Sequence, residues 1–226
     1  MKNIDSLMNF LFWMVKKMGS DDLYRKKKTL DLYKKKKKRT VQNKILIVCE
    51  GEKTEPLYFK SFPINYGEIE VKVAGIAMNT LSLVNKTIEL KKNATKKGEE
   101  YNQIWCVFDK DSFPDSDFDN AIKKAKAHNF RLGFSNEAFE LWFLLHFEYY
   151  NYPMPRKDYE KKISEKINKK YKKNISIYKD ILECQENAID NAKRLYEQKL
   201  SERLPFSKCN PITTVFLLVE ELNKWI

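Results

Sequence analysis

Histidine is nearly missing from this chain: His128 and His146 are the two present in 226 residues. No histidine-rich metal site can be built from them, and no H-E-x-x-H helix occurs. The four cysteines, Cys49, Cys106, Cys184 and Cys209, show no C-x-x-C spacing and no paired histidine, which argues against structural zinc and for a reduced, cytoplasmic protein. A phosphate loop is lacking too, because Gly51-Glu52-Lys53-Thr54 has no earlier glycine and would set carboxylates where phosphates must sit. No G-x-S-x-G elbow is present. The apolar run near the N-terminus is about nine residues, short of the roughly 20 that span a bilayer, and its lysines follow it instead of preceding it as in a signal peptide.

What remains is acidic chemistry. Lys44 to Pro56 reads KILIVCEGEKTEP, five apolar residues in a row and then carboxylates beside a glycine. Such an unbroken run is expected to be a strand buried on both faces, as in parallel sheets. A second run, Ile104-Trp105-Cys106-Val107-Phe108, ends in Asp109-Lys110-Asp111. Open α/β sheets place their chemistry beyond the carboxyl ends of such strands. If the two strands are neighbours, Glu50, Asp109 and Asp111 meet at one edge. Three carboxylates together repel, so they call for a divalent cation, and all-oxygen ligands suit Mg2+ or Mn2+.

These blocks, with Ser135-Asn136-Glu137-Ala138-Phe139-Glu140-Leu141-Trp142-Phe143-Leu144-Leu145-His146-Phe147, resemble the three signature blocks of RloB-like proteins, a family that includes the second component of AbiL abortive-infection systems. The resemblance runs from about Lys44 to the C-terminus. It implies a Toprim-like α/β fold as in topoisomerases, primases and OLD-type nucleases, a role in anti-phage defence and a partner ATPase.

The net charge of +12 is unevenly placed, for residues 16–44 hold 13 Lys or Arg against 3 Asp and so carry +10 of it. The expected organisation is an apolar segment over 1–19, a basic arm over 20–43, a catalytic core over 44–150 with about four mainly parallel strands flanked by helices, and a helical region over 151–226. The first segment reads as a docked helix, a membrane-surface helix or residues without a structural role. As an interface it suits a partner, a second copy of the chain included. The arm reads either as a solvated tail or as a nucleic-acid arm, with Tyr24 and Tyr33 able to stack on bases.

Along the core, Asn79-Thr80 is expected to cap a helix over 81–92, and 93–103 to form a polar loop. Asp115, Asp117 and Asp119 suit the first turn of a helix over 118–128. An EF-hand loop is excluded there, since Pro114 stands at the glycine position and Asn120 at the glutamate position. A strand over 130–134 precedes a helix over 137–147 that is apolar nearly all round and capped by Ser135-Asn136. Its polar exceptions carry information: Glu140 is a structural carboxylate or a further metal ligand, and His146 a core histidine or a proton carrier. Glu52 and Glu55 fit first-turn residues better than ligands. Helices over 156–171, 184–200 and 211–226 follow, the last with Pro211 in its first turn. Lys169-Lys170-Tyr171-Lys172-Lys173 lines a groove or is a solvated face.

The leading functional expectation is a metal-dependent nuclease. Asp109 and Asp111 hold the cation, Glu50 shares the ligation or acts as general acid or base, and Lys53 contacts a phosphate. RNA, transfer RNA among it, is favoured over DNA by the resemblance alone. A non-catalytic nucleic-acid adaptor and an OLD-like DNA nuclease are the rival readings.

Overall fold

β1 (Asn43–Cys49) is an interior strand of the sheet, and its aliphatic run is buried on both faces. Ile45, Ile47 and Cys49 enter one apolar layer, Leu46 and Val48 the other, which is the period of two that alternating strand residues impose. The computed structural model describes residues 43–64, 69–110 and 114–226. The expected apolar segment 1–19, the basic arm up to residue 42, and Asp111 lie outside the described residues.

Residues Asn43–Ile226 form one compact unit. After β1 come α1 (Thr54–Lys60), β2 (Ile69–Gly75), α2 (Thr80–Lys96), β3 (Gln103–Asp109), α3 (Asp115–Ala127), β4 (Arg131–Asn136) and α4 (Glu140–Leu145). Then follow α5 (Arg156–Lys166), α6 (Tyr178–Ile181), α7 (Gln185–Ser201), β5 (Ile212–Thr213) and α8 (Val215–Asn223). The sheet order is β2-β1-β3-β4-β5, parallel except for the β4/β5 pair. The chain therefore leaves β1 to one side for β2 and returns to the other side for β3. The crevice between β1 and β3 is the topological switch point, where open α/β sheets bind ligands.

Helices cover both faces. α2 and α3 bury Leu83, Val84, Phe118, Ala121 and Ile122 against Val48, Cys106 and Phe108. The opposite face is covered by α1, α4 and the C-terminal helices. Asn79 caps α2 as expected, its Oδ1 accepting the Ser82 N–H at 2.9 Å, and the helix runs four residues past Lys92 before Gly98 turns it at φ +70°.

Three expectations are corrected. Pro211 does not open a helix: Ile212–Thr213 form β5 antiparallel to β4, and α8 begins at Val215. The threonine hydroxyls explain this, since Thr213 bonds Ser135 Oγ at 3.1 Å and Thr214 Oγ1 accepts the Phe134 N–H at 2.9 Å. Ser135-Asn136 do not cap a helix but end β4, with Asn136 Nδ2 donating to the Phe206 and Ser207 carbonyls. The helix expected over 156–171 stops at Lys166, because Asn168 adopts the left-handed conformation (φ 51°), a common helix stop. The chain then turns back and brings Tyr171 and Lys173 to the site.

Candidate functional site

Glu50 follows β1 directly and Asp109 ends β3, so both stand at the switch point. The backbone fixes their relation: Glu50 N–H donates to the Val107 carbonyl at 2.8 Å, and Asp109 N–H donates to Glu50 Oε2 at 3.1 Å. The other Asp109 oxygen system is oriented from across the cleft, where Phe139 N–H donates to Oδ2 at 3.0 Å. Asp109 Oδ1 is shielded from solvent and has no hydrogen-bond partner among the described residues.

Two more carboxylates are brought in by packing. Glu55 lies on α1 and Glu140 on α4, 6% and 4% exposed. Tyr58, one turn after Glu55, sits edge-on to Phe139 at 5.9 Å and to Phe143 at 5.5 Å, and Phe59 meets Phe139 at 5.9 Å. Each such pair contributes about 0.5–1.5 kcal/mol beyond its buried area, so the aromatic seam clamps α1 to α4 and with them Glu55 to Glu140. Glu55 Oε1 also accepts the Gly51 N–H at 3.2 Å. That approach demands glycine, because a Cβ at 51 would stand 2.5 Å from Glu55 Oε2.

Glu50, Gly51, Glu52, Lys53, Thr54, Glu55, Asp109, Glu140, Arg156 and Lys173 line one cleft of about 340 Å³. Burial, followed by the Glu55 and Glu140 charges, holds the Asp109 carboxyl well above its usual range, against the opposing pull of Arg156 and the Phe139 N–H. Burial also raises Glu55, with Glu140 adding to it and the Gly51 N–H opposing. The Tyr171 hydroxyl, which donates to Glu140 Oε1 at 3.0 Å, is pushed up by burial and by that carboxylate. Burial and mutual repulsion therefore both work against ionising Asp109 and Glu55.

Of the residues expected from the sequence, Glu50, Lys53, Asp109 and Glu140 share this cleft, and Asp111 lies outside the described residues. His146 does not line it. Its ring is 1% exposed in the core, with Nδ1 at 2.9 Å from the Trp142 carbonyl, and burial lowers its pKa from 6.5 to about 4. That is the core-histidine alternative. Asp115 is paired with Lys110 and Lys208, and Asp119 accepts from Ser207 Oγ at 2.7 Å; neither lines the cleft. Arg156 was not expected there; Glu55 was read as a first-turn residue in preference to a ligand, and Tyr171 and Lys173 belong to the cluster read as either lining a groove or forming a solvated face. No local pattern places any of the four in the cleft; the fold does.

The donor set is all oxygen, and an orphaned, shielded carboxylate oxygen beside two further buried carboxylates fits a divalent cation. Among the described residues no group of three or more His, Cys, Asp or Glu side chains is arranged to hold a metal ion, so an ion here would require the carboxylates to move together. No helix among the described residues is long and apolar enough to cross a membrane. A family model described as RloB-like protein matches residues 45–222. No curated protein matches the chain, and no solved structure does.

Proposed function

The chain belongs to the RloB-like family, and from that membership and the cleft we propose that it is a Mg2+- or Mn2+-dependent nuclease of Toprim type. The setting is a cytoplasmic abortive-infection defence system with a partner ATPase, and RNA such as transfer RNA is the favoured substrate. The observation that carries this reading is the meeting of Glu50, Glu55, Asp109 and Glu140 at the β1/β3 switch point with a cationic rim of Lys53, Arg156 and Lys173.

Asp109 and Glu140 would hold the ion, with Glu55 and the neighbouring Asp111 completing the acidic set. A bound divalent cation supplies charge neutralisation at the scissile phosphate and a more acidic water. Glu50 joins the ligands or serves as general acid or base; the Asp109 N–H that it accepts orients its carboxylate. Lys53, exposed at the rim, contacts substrate phosphate. The aromatic seam behind the cleft excludes water from the far side of the carboxylates.

The test is to incubate the full chain, alone and with its partner ATPase, with transfer RNA, single-stranded RNA and duplex DNA, in Mg2+, Mn2+ or EDTA. Metal-dependent RNA cleavage that Asp109→Asn abolishes supports the reading. Cleavage confined to DNA transfers it to an OLD-like DNA nuclease. Bound but intact substrate in every condition makes the protein a non-catalytic nucleic-acid adaptor.

A further inference from the structure

The chain after Pro155 leaves the cleft and comes back to it. Arg156 opens α5 and Lys173 lies in the turn that follows, and both line the cleft. The excursion between them is strongly basic: residues 156–173 hold nine Lys or Arg against three Asp or Glu, whereas the rest of 43–226 holds 21 against 24. Lys166 pairs with Glu148, Lys169 with Asp180, and Lys173 with Glu140 and Glu160. Lys157, Lys161, Lys170 and Lys172 are exposed and form no ion pair among the described residues.

The frame that displays these four lysines is tied down. Around α5, Tyr159 and Ile163 face the core, Arg156 and Glu160 come next on the side of the cleft, and Lys157 and Lys161 follow, one turn apart, on the solvent side of that row. In the turn, Tyr171 is 5% exposed and its hydroxyl reaches Glu140, which leaves its neighbours Lys170 and Lys172 outside. Tyr171 N–H donates to Ser164 Oγ at 2.9 Å, the Lys173 carbonyl accepts from Thr54 Oγ1 at 3.4 Å, and the Ser61 and Ser176 hydroxyls meet at 2.9 Å. The turn is thereby fixed both to α5 and to the end of α1 that carries the site. A row of unpaired cations repels itself, and a chain of phosphates relieves that repulsion while releasing its own counterions. From this geometry we infer that Lys157, Lys161, Lys170 and Lys172 form a docking surface for the phosphate backbone of a nucleic acid, holding the strand outside the cleft on either side of the segment that enters it. The inference rests on the proposed nuclease reading for the identity of the polyanion and adds the surface that binds it.

The experiment uses the full chain carrying Lys157→Gln with Lys161→Gln, or Lys170→Gln with Lys172→Gln. The control is Lys92→Gln with Lys96→Gln, an exposed pair of the same helical spacing on α2, across the sheet from α5. Glutamine removes the charge and keeps the helix propensity of lysine. Binding of fluorescent single-stranded RNA and of duplex DNA is measured by anisotropy in Ca2+ over a salt series. The basic arm is present in every variant, so a difference in slope reports on the exchanged pair. Each of the two test pairs is expected to weaken binding severalfold at low salt and to reduce the salt slope by about 1.4 on a single strand, or about 1.8 on a duplex, the share of two phosphate contacts. The control pair keeps the wild-type slope. Test pairs with wild-type slopes, or a control pair whose slope falls as far as theirs, overturn the inference while the nuclease reading stands. Test pairs that keep nucleic-acid binding but lose the partner ATPase assign the surface to a protein contact and overturn it as well. A wild-type protein that binds neither RNA nor DNA overturns both.

Discussion

Replacing His146 by Phe keeps a flat ring against Trp142, whose indole it meets edge-on at 4.9 Å, and removes a group that the fold cannot charge. Burial lowers the His146 pKa to about 4 from 6.5. Below pH 6.5 the unfolded chain takes up a proton that the folded chain refuses until about pH 4, so this residue's stability contribution is complete above 6.5 and is lost as the pH falls through that window. Applying the two pKa values, the loss between pH 7 and pH 5 is about 2 kcal/mol, and approaches about 3.4 kcal/mol below pH 4 at roughly 1.36 kcal/mol per unit. Other buried carboxyls titrate nearby, but they are common to both proteins and cancel in the difference. Urea unfolding of wild type and His146→Phe at pH 7 and pH 5 reads it directly. The wild type should lose about 2 kcal/mol more than the variant over this interval, and the variant should match the wild type at pH 7 in the proposed metal-dependent RNA cleavage. Equal pH dependence of the two proteins would refute the assignment of a neutral core histidine. So would a variant that is folded but inactive, which would return His146 to the catalytic role.

The remaining predictions concern how the cleft is built. Gly75→Ala should cost more than about 2 kcal/mol, seen as a drop in the urea midpoint, because its Cβ would stand 2.4 Å from the Gly51 carbonyl oxygen and 2.8 Å from Glu52 Cα, backbone that cannot step aside. Glu55→Gln should raise the melting temperature of the ion-free protein: Glu55 is charged only against burial and against Glu140, so the wild type loses stability as the pH rises through the elevated Glu55 pKa and the variant does not. The same variant should gain less from added Mn2+. Asn79→Ala removes the only side-chain cap of α2 and should cost about 1 kcal/mol without altering ion binding.

The sequence carried the two strand-end acids well. Glu50 and Asp109 each terminate an unbroken apolar run, and a strand buried on both faces leaves its end as the place where polar chemistry can begin. Glu140 was legible for the opposite reason, as a charge in a helix otherwise apolar all round. Glu55 was read as a first-turn residue compensating the helix dipole, an ordinary role for an acid in that position, because no local pattern says that Gly51 lets its carboxylate fold back into the cleft. Arg156, Tyr171 and Lys173 sit in a segment with so many cations that none is distinguished by its neighbours. Only the reversal at Asn168 selects Lys173 from the lysines around it. The same limit applies to β5: Pro211 signalled a helix start, and the hydroxyl bonds that make Ile212–Thr213 a strand come from residues 78 and 80 positions away.

The central claim is that carboxylates from β1, α1, β3 and α4 share one divalent ion, and Mn2+ titration of the full chain followed by electron paramagnetic resonance tests it most directly. The account predicts saturable uptake of a single Mn2+ by the wild type, competed by Mg2+ and lost in a folded Asp109→Asn protein. A wild type that leaves Mn2+ in solution, or an Asp109→Asn protein that takes it up as before, would contradict it.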